Sequence, residues 1–239
     1  MLLALWSPKG GSGTSVLAAA CSIVLARQAG GARLADLEGD QPAIFGIDAD
    51  PPTGLTDWLA AGPEAPTEAL EKLAVEALRG VALLPRGSAP RPLAPVAAAE
   101  AGAALGVALR DGAPTVLDLG AAVSPAARAL LEVSDVAVVV LRGCYLGLRR
   151  AVHAPGLART AGAVLVEEPG RSLSANEVAD VLDKPVLAHV PVKIAIARAV
   201  DAGILAPRLP DHLARPASEM LGRLGLLPVG GGRARGEAA

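Results

Sequence analysis

The start of the chain carries the pattern that most constrains its fold. An apolar run, Leu2 to Trp6, leads into Pro8-Lys9-Gly10-Gly11-Ser12-Gly13-Thr14-Ser15, and Val16-Leu17-Ala18-Ala19-Ala20 follows. A strand, a glycine-rich turn and a helix in that order make a phosphate cradle, because backbone N–H groups at the turn and at the helix N-terminus converge on an anion. In the common pattern G-x-x-x-x-G-K-S/T, the lysine reaches the β and γ phosphates and the hydroxyl after it holds Mg²⁺. Here Gly13 and Ser15 fit, Thr14 stands where the lysine belongs, Pro8 takes the place of the first glycine, and Lys9 lies early in the loop. The cradle is kept and its cation is moved.

Beyond the loop, short Val/Leu/Ile-rich runs alternate with longer helical segments, the signature of an α/β fold with a doubly wound, mainly parallel sheet flanked by helices on both faces. The runs predict strands at Leu2 to Trp6, Ala32 to Ala35, Val81 to Leu84, Thr115 to Leu117, Val136 to Leu141, Ala163 to Val166 and Val186 to Val190. The gaps predict helices at Ser15 to Gln28, Glu64 to Leu78, Val96 to Arg110, Ser124 to Val133, Leu146 to Ala161, Ala175 to Leu182 and His212 to Leu224. Apolar residues are 52% of the chain and aromatics only 2%, so Ala, Leu and Val must fill the core. No Pro- or Gly-rich stretch is long enough to separate two cores, which predicts one domain over residues 1–229. Gly230 to Ala239, rich in Gly, Arg and Ala, reads as a disordered tail.

A net charge of -2 predicts no strong field and argues against sequence-independent nucleic-acid binding. The first apolar run has a strand's length and no basic flank or cleavage signal, and no apolar stretch reaches the roughly 18 residues of a membrane span. A cytoplasmic protein is expected. Cys21 and Cys144 have no partner at metal-ligand spacing and read as buried, reduced thiols. His153, His189 and His212 suggest neither a triad nor a metal site. Arg142, Arg149 and Arg150, with Lys193 and Arg198, read as solvated helix faces.

Lys9-Gly10-Gly11-x-Gly13-x-Ser15 resembles the deviant Walker A motif of the ParA/MinD family, in which a signature lysine precedes two glycines, and the resemblance spans most of the chain. It implies a homodimer that sandwiches ATP or ADP with Mg²⁺. It also implies that Lys9, Gly10, Gly11, Ser12, Gly13, Thr14 and Ser15 surround the phosphates, with Lys9 folding onto its own site or reaching across the dimer. The family's spacing from signature lysine to switch aspartate places that role on Asp36. Asp48-Ala49-Asp50-Pro51 looks more like the family's text but comes too late. Asp118, ending Pro114-Thr115-Val116-Leu117-Asp118, resembles a Walker B aspartate, since a carboxylate at the carboxyl end of a central strand faces the same crevice as the loop. Lys9, Asp36 and Asp118 are thus the candidate catalytic residues, and Ser15, Asp36 and Asp118 the candidate metal ligands.

Within the wider family, Asp36-Leu37-Glu38-Gly39-Asp40-Gln41-Pro42-Ala43-Ile44-Phe45, running into a short helix and followed by Gly54 to Leu59, resembles the CpaE/TadZ branch that accompanies Tad/Flp pilus and secretion machinery. Val136 to Arg142 with Leu146 to Arg150 is similar to a later strand and helix of that branch. The resemblance implies a protein that places or regulates a pilus or secretion assembly through protein partners. Thr14 argues that hydrolysis is weak or conditional. A pseudo-ATPase scaffold is the alternative, and a partitioning ATPase a third reading. Where the family often has an adenine-reading asparagine, this chain has Glu167-Glu168-Pro169, and a carboxylate cannot donate to a ring nitrogen. The final helix is too short and too weakly basic to target a membrane by itself.

Overall fold

Strand β1 (Leu2–Trp6) is buried along its whole length, as a strand covered by helices on both faces must be. The computed structural model describes residues 1–88, 92–171 and 173–227. Within them the chain also forms β2 (Ala32–Asp36), β3 (Val75–Leu78), β4 (Val81–Leu84), β5 (Thr115–Asp118), β6 (Val136–Arg142), β7 (Thr160–Glu167) and β8 (Val186–Pro191). They make one sheet in the order β3-β4-β2-β5-β1-β6-β7-β8, parallel throughout except for the β3–β4 pair.

The helices are α1 (Thr14–Ala29), α2 (Gln41–Ile44), α3 (Leu55–Ala61), α4 (Glu68–Leu73), α5 (Pro95–Ala108), α6 (Pro125–Val133), α7 (Tyr145–Val152), α8 (Ala175–Leu182), α9 (Ile194–Asp201) and α10 (Asp211–Arg223). Side chains alternate across the sheet. Leu3 and Leu5 of β1 join a core with α1, α2, α9 and α10, while Leu2, Ala4 and Trp6 join a second core with α3 to α8. Helix α1 is apolar around most of its circumference and largely buried, which suits a helix held between the sheet and α10. No described helix is long and apolar enough to cross a membrane.

Two predicted helices are corrected. The Glu64–Leu78 segment divides into α4 and the edge strand β3, because Arg79-Gly80, with Gly80 at φ 85, turns Val75–Leu78 back onto β4. Glu-Ala-Leu sequences favour helix weakly, and strand pairing overrides the preference. The Leu146–Ala161 segment stops at Val152. Pro155 cannot continue α7, a short 3₁₀ turn spans Pro155–Arg159, and Thr160 already belongs to β7. Helices α3 and α9 were not among the predicted ones; the short helix after the switch segment is α2. The tail expected at residues 230–239 lies outside the described residues.

The sheet order positions the site. The chain leaves β1, crosses over β5 to build β2, and later returns to β6 on the other side of β1. A crevice opens at the carboxyl ends of the strands where such a reversal occurs, and the glycine loop leads out of β1 at that point.

Candidate functional site

Left-handed backbone shapes the loop. Gly11 has φ 73, and Gly13, the residue preceding α1, has φ 87, a region that side chains beyond glycine enter at a cost. The loop is braced from within. Ser7 Oγ and Ser12 Oγ both donate to the Lys9 carbonyl, at 2.8 and 3.0 Å, and Ser7 N donates to the Gly120 carbonyl at 2.7 Å. With the carbonyls so engaged, the backbone N–H groups of residues 10–15 donate to no acceptor among the described residues. They line a cleft of about 570 Å³ together with Glu38, Asp40, Ala121, Arg142 and Asp201. Thr14 is buried, and its Oγ1 has no hydrogen-bond partner.

Asp36 and Asp118 end neighbouring strands and face each other in register. Asp48 and Asp50 lie on an exposed loop beyond α2. Both strand-end carboxylates are fully buried. Asp36 accepts from the N–H groups of Glu38 at 3.0 Å, Gly39 at 2.7 Å and Gln41 at 3.1 Å, so it holds the start of the switch segment. Asp118 accepts from Gly120 N at 3.2 Å and from Gln41 Nε2 at 2.7 Å. Gln41 Nε2 also donates to the Ser15 carbonyl at 2.9 Å, which fixes the amide's orientation and leaves Gln41 Oε1 buried without a partner. Ser15 Oγ lies 3.5 Å from Asp40 Oδ2 at the cleft wall.

Burial pushes both acids up, Asp36 to about 6 and Asp118 to about 7, the latter also raised by the charge of Asp36. A carboxyl that titrates higher in the folded than in the unfolded state holds protons the unfolded chain has released, so its contribution to stability falls as pH rises between those two values. The ligand-free protein is therefore expected to lose stability from about pH 4 to about pH 7, at about 1.4 kcal/mol per pH unit for each proton by which the states differ. Urea unfolding across that range checks this. Asp118→Asn should flatten the slope, and an unchanged slope would mean Asp118 is not the source.

The structure thus brings together Gly10, Gly11, Ser12, Gly13, Thr14 and Ser15 with the Asp36–Asp118 pair. Lys9 stands apart. It is half-buried, does not line the cleft, and lies within electrostatic reach of Glu168. Sequence reasoning assigned no role to Glu38, Asp40, Gln41 or Asp201, and it grouped Arg142 with a solvated basic face. Arg142 instead lines the cleft, while Arg149 and Arg150 are exposed on α7. Glu167 pairs with His189 at 2.7 Å, and Glu168 pairs with Arg142 and Arg171. Cys21 is buried as expected, but Cys144 is only half-buried before α7. No group of three His, Cys, Asp or Glu side chains among the described residues is arranged to hold a metal by itself.

No protein-family model matches the chain. Two uncharacterized proteins from two strains of Mycobacterium tuberculosis are each 29% identical to it over 246 residues, covering 97% of this chain and 65% of their own length. The chain thus spans about two thirds of the curated relatives it matches. The solved structures are more telling. A ParA family ATPase from Chlorobium tepidum superposes with a TM-score of 0.75 at 18% identity, over 92% of this chain and 97% of that one.

The fold is that of the ParA/MinD ATPases.

MinD from Aquifex aeolicus, in its complex with MinC, gives a TM-score of 0.74 at 18% identity, covering 95% of this chain and 96% of that one. MinD from Pyrococcus horikoshii, complexed with Mg-ADP, gives 0.73 at 19%, covering 93% and 95%. The shared fold covers nearly the whole chain.

Proposed function

We propose that this chain is a ParA/MinD-type nucleotide-binding protein that takes ATP or ADP with Mg²⁺ in the P-loop cleft. One observation carries the reading. At the carboxyl ends of three adjacent strands, unengaged backbone donors of residues 10–15 line a cleft with Glu38, Asp40 and Gly120, and the buried Asp36–Asp118 pair lies behind it, tied to Ser15 through Gln41. The donors cradle the phosphates, with Gly10, Gly11, Ser12, Gly13 and Thr14 supplying N–H groups.

The residues present fit Mg²⁺. Ser15 Oγ, the carboxylates and the unpartnered Gln41 Oε1 are hard oxygen donors, the kind this cation selects. Ser15 and Asp118 would hold the ion directly or through water, and Asp36 fixes the switch segment through three N–H groups. Bound there, the ion would neutralise phosphate charge. The base belongs in the adjoining apolar pocket of about 200 Å³, between Val166, Val190, Pro191 and Ile196. Glu167 is held by His189 and Glu168 by Arg142 and Arg171, so base selection rests on shape more than on hydrogen bonds.

Thr14 makes hydrolysis slow or conditional, because phosphoryl transfer depends on placed cations. Lys9 lies outside its own cleft, which suits a residue that reaches a partner's nucleotide across a homodimer. The Aquifex MinD is seen with a partner protein, MinC, and we extend that mode to this chain. Its resemblance to the CpaE/TadZ branch points to a pilus or secretion assembly as the partner. A pseudo-ATPase scaffold is the second reading, favoured by Thr14 alone.

Light scattering separates the two. For the switch, ATP with Mg²⁺ is expected to double the mass of the wild type and leave Lys9→Ala unchanged. ATP bound by a wild type whose mass stays constant would remove the switch and leave the scaffold.

A further inference from the structure

The substitution of Thr14 leaves the cleft without its own P-loop cation, and its walls are acidic. Glu38, Asp40 and Asp201 line it, and Arg142 is the only basic residue among the described residues that does so. Arg142 also lines the apolar pocket beside it, so it stands between the phosphate cradle and the proposed base pocket. Resting on the nucleotide reading above, we infer that Arg142 supplies the phosphate-directed positive charge that Thr14 does not.

Position comes first. Arg142 ends β6, which pairs directly with β1, the strand that delivers the P-loop. A guanidinium there approaches the cradle from the edge of β1 opposite the one that carries β5 and Asp118, since β5 and β6 flank β1 on its two edges. Cation and carboxylates thus sit on opposite sides of the loop, the arrangement needed to hold a phosphate chain on one side and a divalent ion on the other.

Availability comes second. Arg142 Nη1 pairs with Glu168, while its Nε is buried with no partner, so its present pose leaves a donor unsatisfied and carries a cost that a new pose can relieve. Glu168 is held a second time by Arg171, through Nε at 2.8 Å and Nη2 at 2.7 Å. Arg142 can therefore turn its charge to a phosphate while Glu168 keeps a partner. Exchanging one carboxylate for another anion avoids the large cost of leaving a charge unpaired. Guanidinium geometry suits the task, because its fork donates two parallel hydrogen bonds to a phosphate. Arg142 is half-exposed at 36%, so the exchange needs no opening of the core.

Calorimetric titration with ATP and Mg²⁺, and separately with adenosine, tests the assignment. Arg142→Ala is expected to weaken ATP by about tenfold to a hundredfold, as for other charge-assisted contacts. Adenosine affinity and melting temperature should stay near wild type, and Arg142→Lys should recover part of the loss. A double-mutant comparison gives the sharper readout: in a Thr14→Lys background, Arg142→Ala should cost several-fold less than in the wild type, because the restored lysine supplies the charge.

Equal ATP binding by wild type and Arg142→Ala would overturn the assignment and leave the nucleotide reading standing. Equal losses for ATP and adenosine would overturn it too, since they would make Arg142 a wall of the base pocket. A wild type that binds no ATP at millimolar concentration removes the nucleotide reading and the role of Arg142 together.

Discussion

Thr14→Lys is expected to bind ATP with Mg²⁺ at least about thirtyfold more tightly than the wild type. A desolvated, hydrogen-bonded charge pair is typically worth about 2 to 5 kcal/mol when one partner is removed, and about 1.4 kcal/mol is a factor of ten. The gain should fall near the lower limit, because Arg142 already brings one cation to the cleft. The site favours the new charge. Thr14 is buried at the first turn of α1 with an unpartnered hydroxyl, so the substitution breaks no hydrogen bond. Three acidic side chains line the same space and offset the repulsion between the new ammonium and Arg142. Turnover should rise with affinity if Ser15, Asp36 and Asp118 act as proposed. Titration calorimetry on the two proteins decides it, and equal affinities would mean that phosphates do not rest at this loop.

Gly102→Val is expected to be strongly destabilising although it lies away from the site. Helices α5 and α6 cross at Gly102, where an added Cβ would lie 2.6 Å from the Ala126 carbonyl oxygen and 2.7 Å from its Cα. Those are backbone atoms, so no side-chain rotation relieves the overlap, and the helices must move apart. Overpacking costs about 1 to 3 kcal/mol, and a clash with backbone takes the upper end, against a few tenths of a kcal/mol gained in helix propensity. For a chain of this size about 3 kcal/mol lowers the melting temperature by roughly 6 to 12 °C. Thermal unfolding followed by circular dichroism checks the shift. A drop under about 2 °C would mean the helices do not meet this closely.

The order in which structure is encoded explains what the sequence made legible. The P-loop was readable because its parts are contiguous: strand, glycines, hydroxyl and helix fall within the first thirty residues. Asp118 was readable because it ends an apolar run, Asp36 was placed by the resembled family's spacing from Lys9, and a parallel sheet brings both strand ends to one edge. The contacts between elements were not readable. Gln41 reaches Asp118 across 77 residues, and Arg142 reaches Glu168 across 26, only because the sheet order sets β5 between β1 and β2 and β7 beside β6. No local spacing announces either contact. Arg142 therefore looked like one more arginine beside Arg149 and Arg150. Strand β3 was misread for a related reason, since Val75–Leu78 becomes a strand through its pairing with β4.

The central claim is that the cleft at the end of β1 binds a nucleotide despite Thr14. Isothermal titration of the wild-type protein with ATP and Mg²⁺ at neutral pH tests it most directly. The expected result is saturable binding with one site per chain and an affinity between micromolar and millimolar, weakened when Mg²⁺ is withheld. No heat of binding up to millimolar ATP would contradict the claim, and the ParA/MinD fold would then serve here as a scaffold.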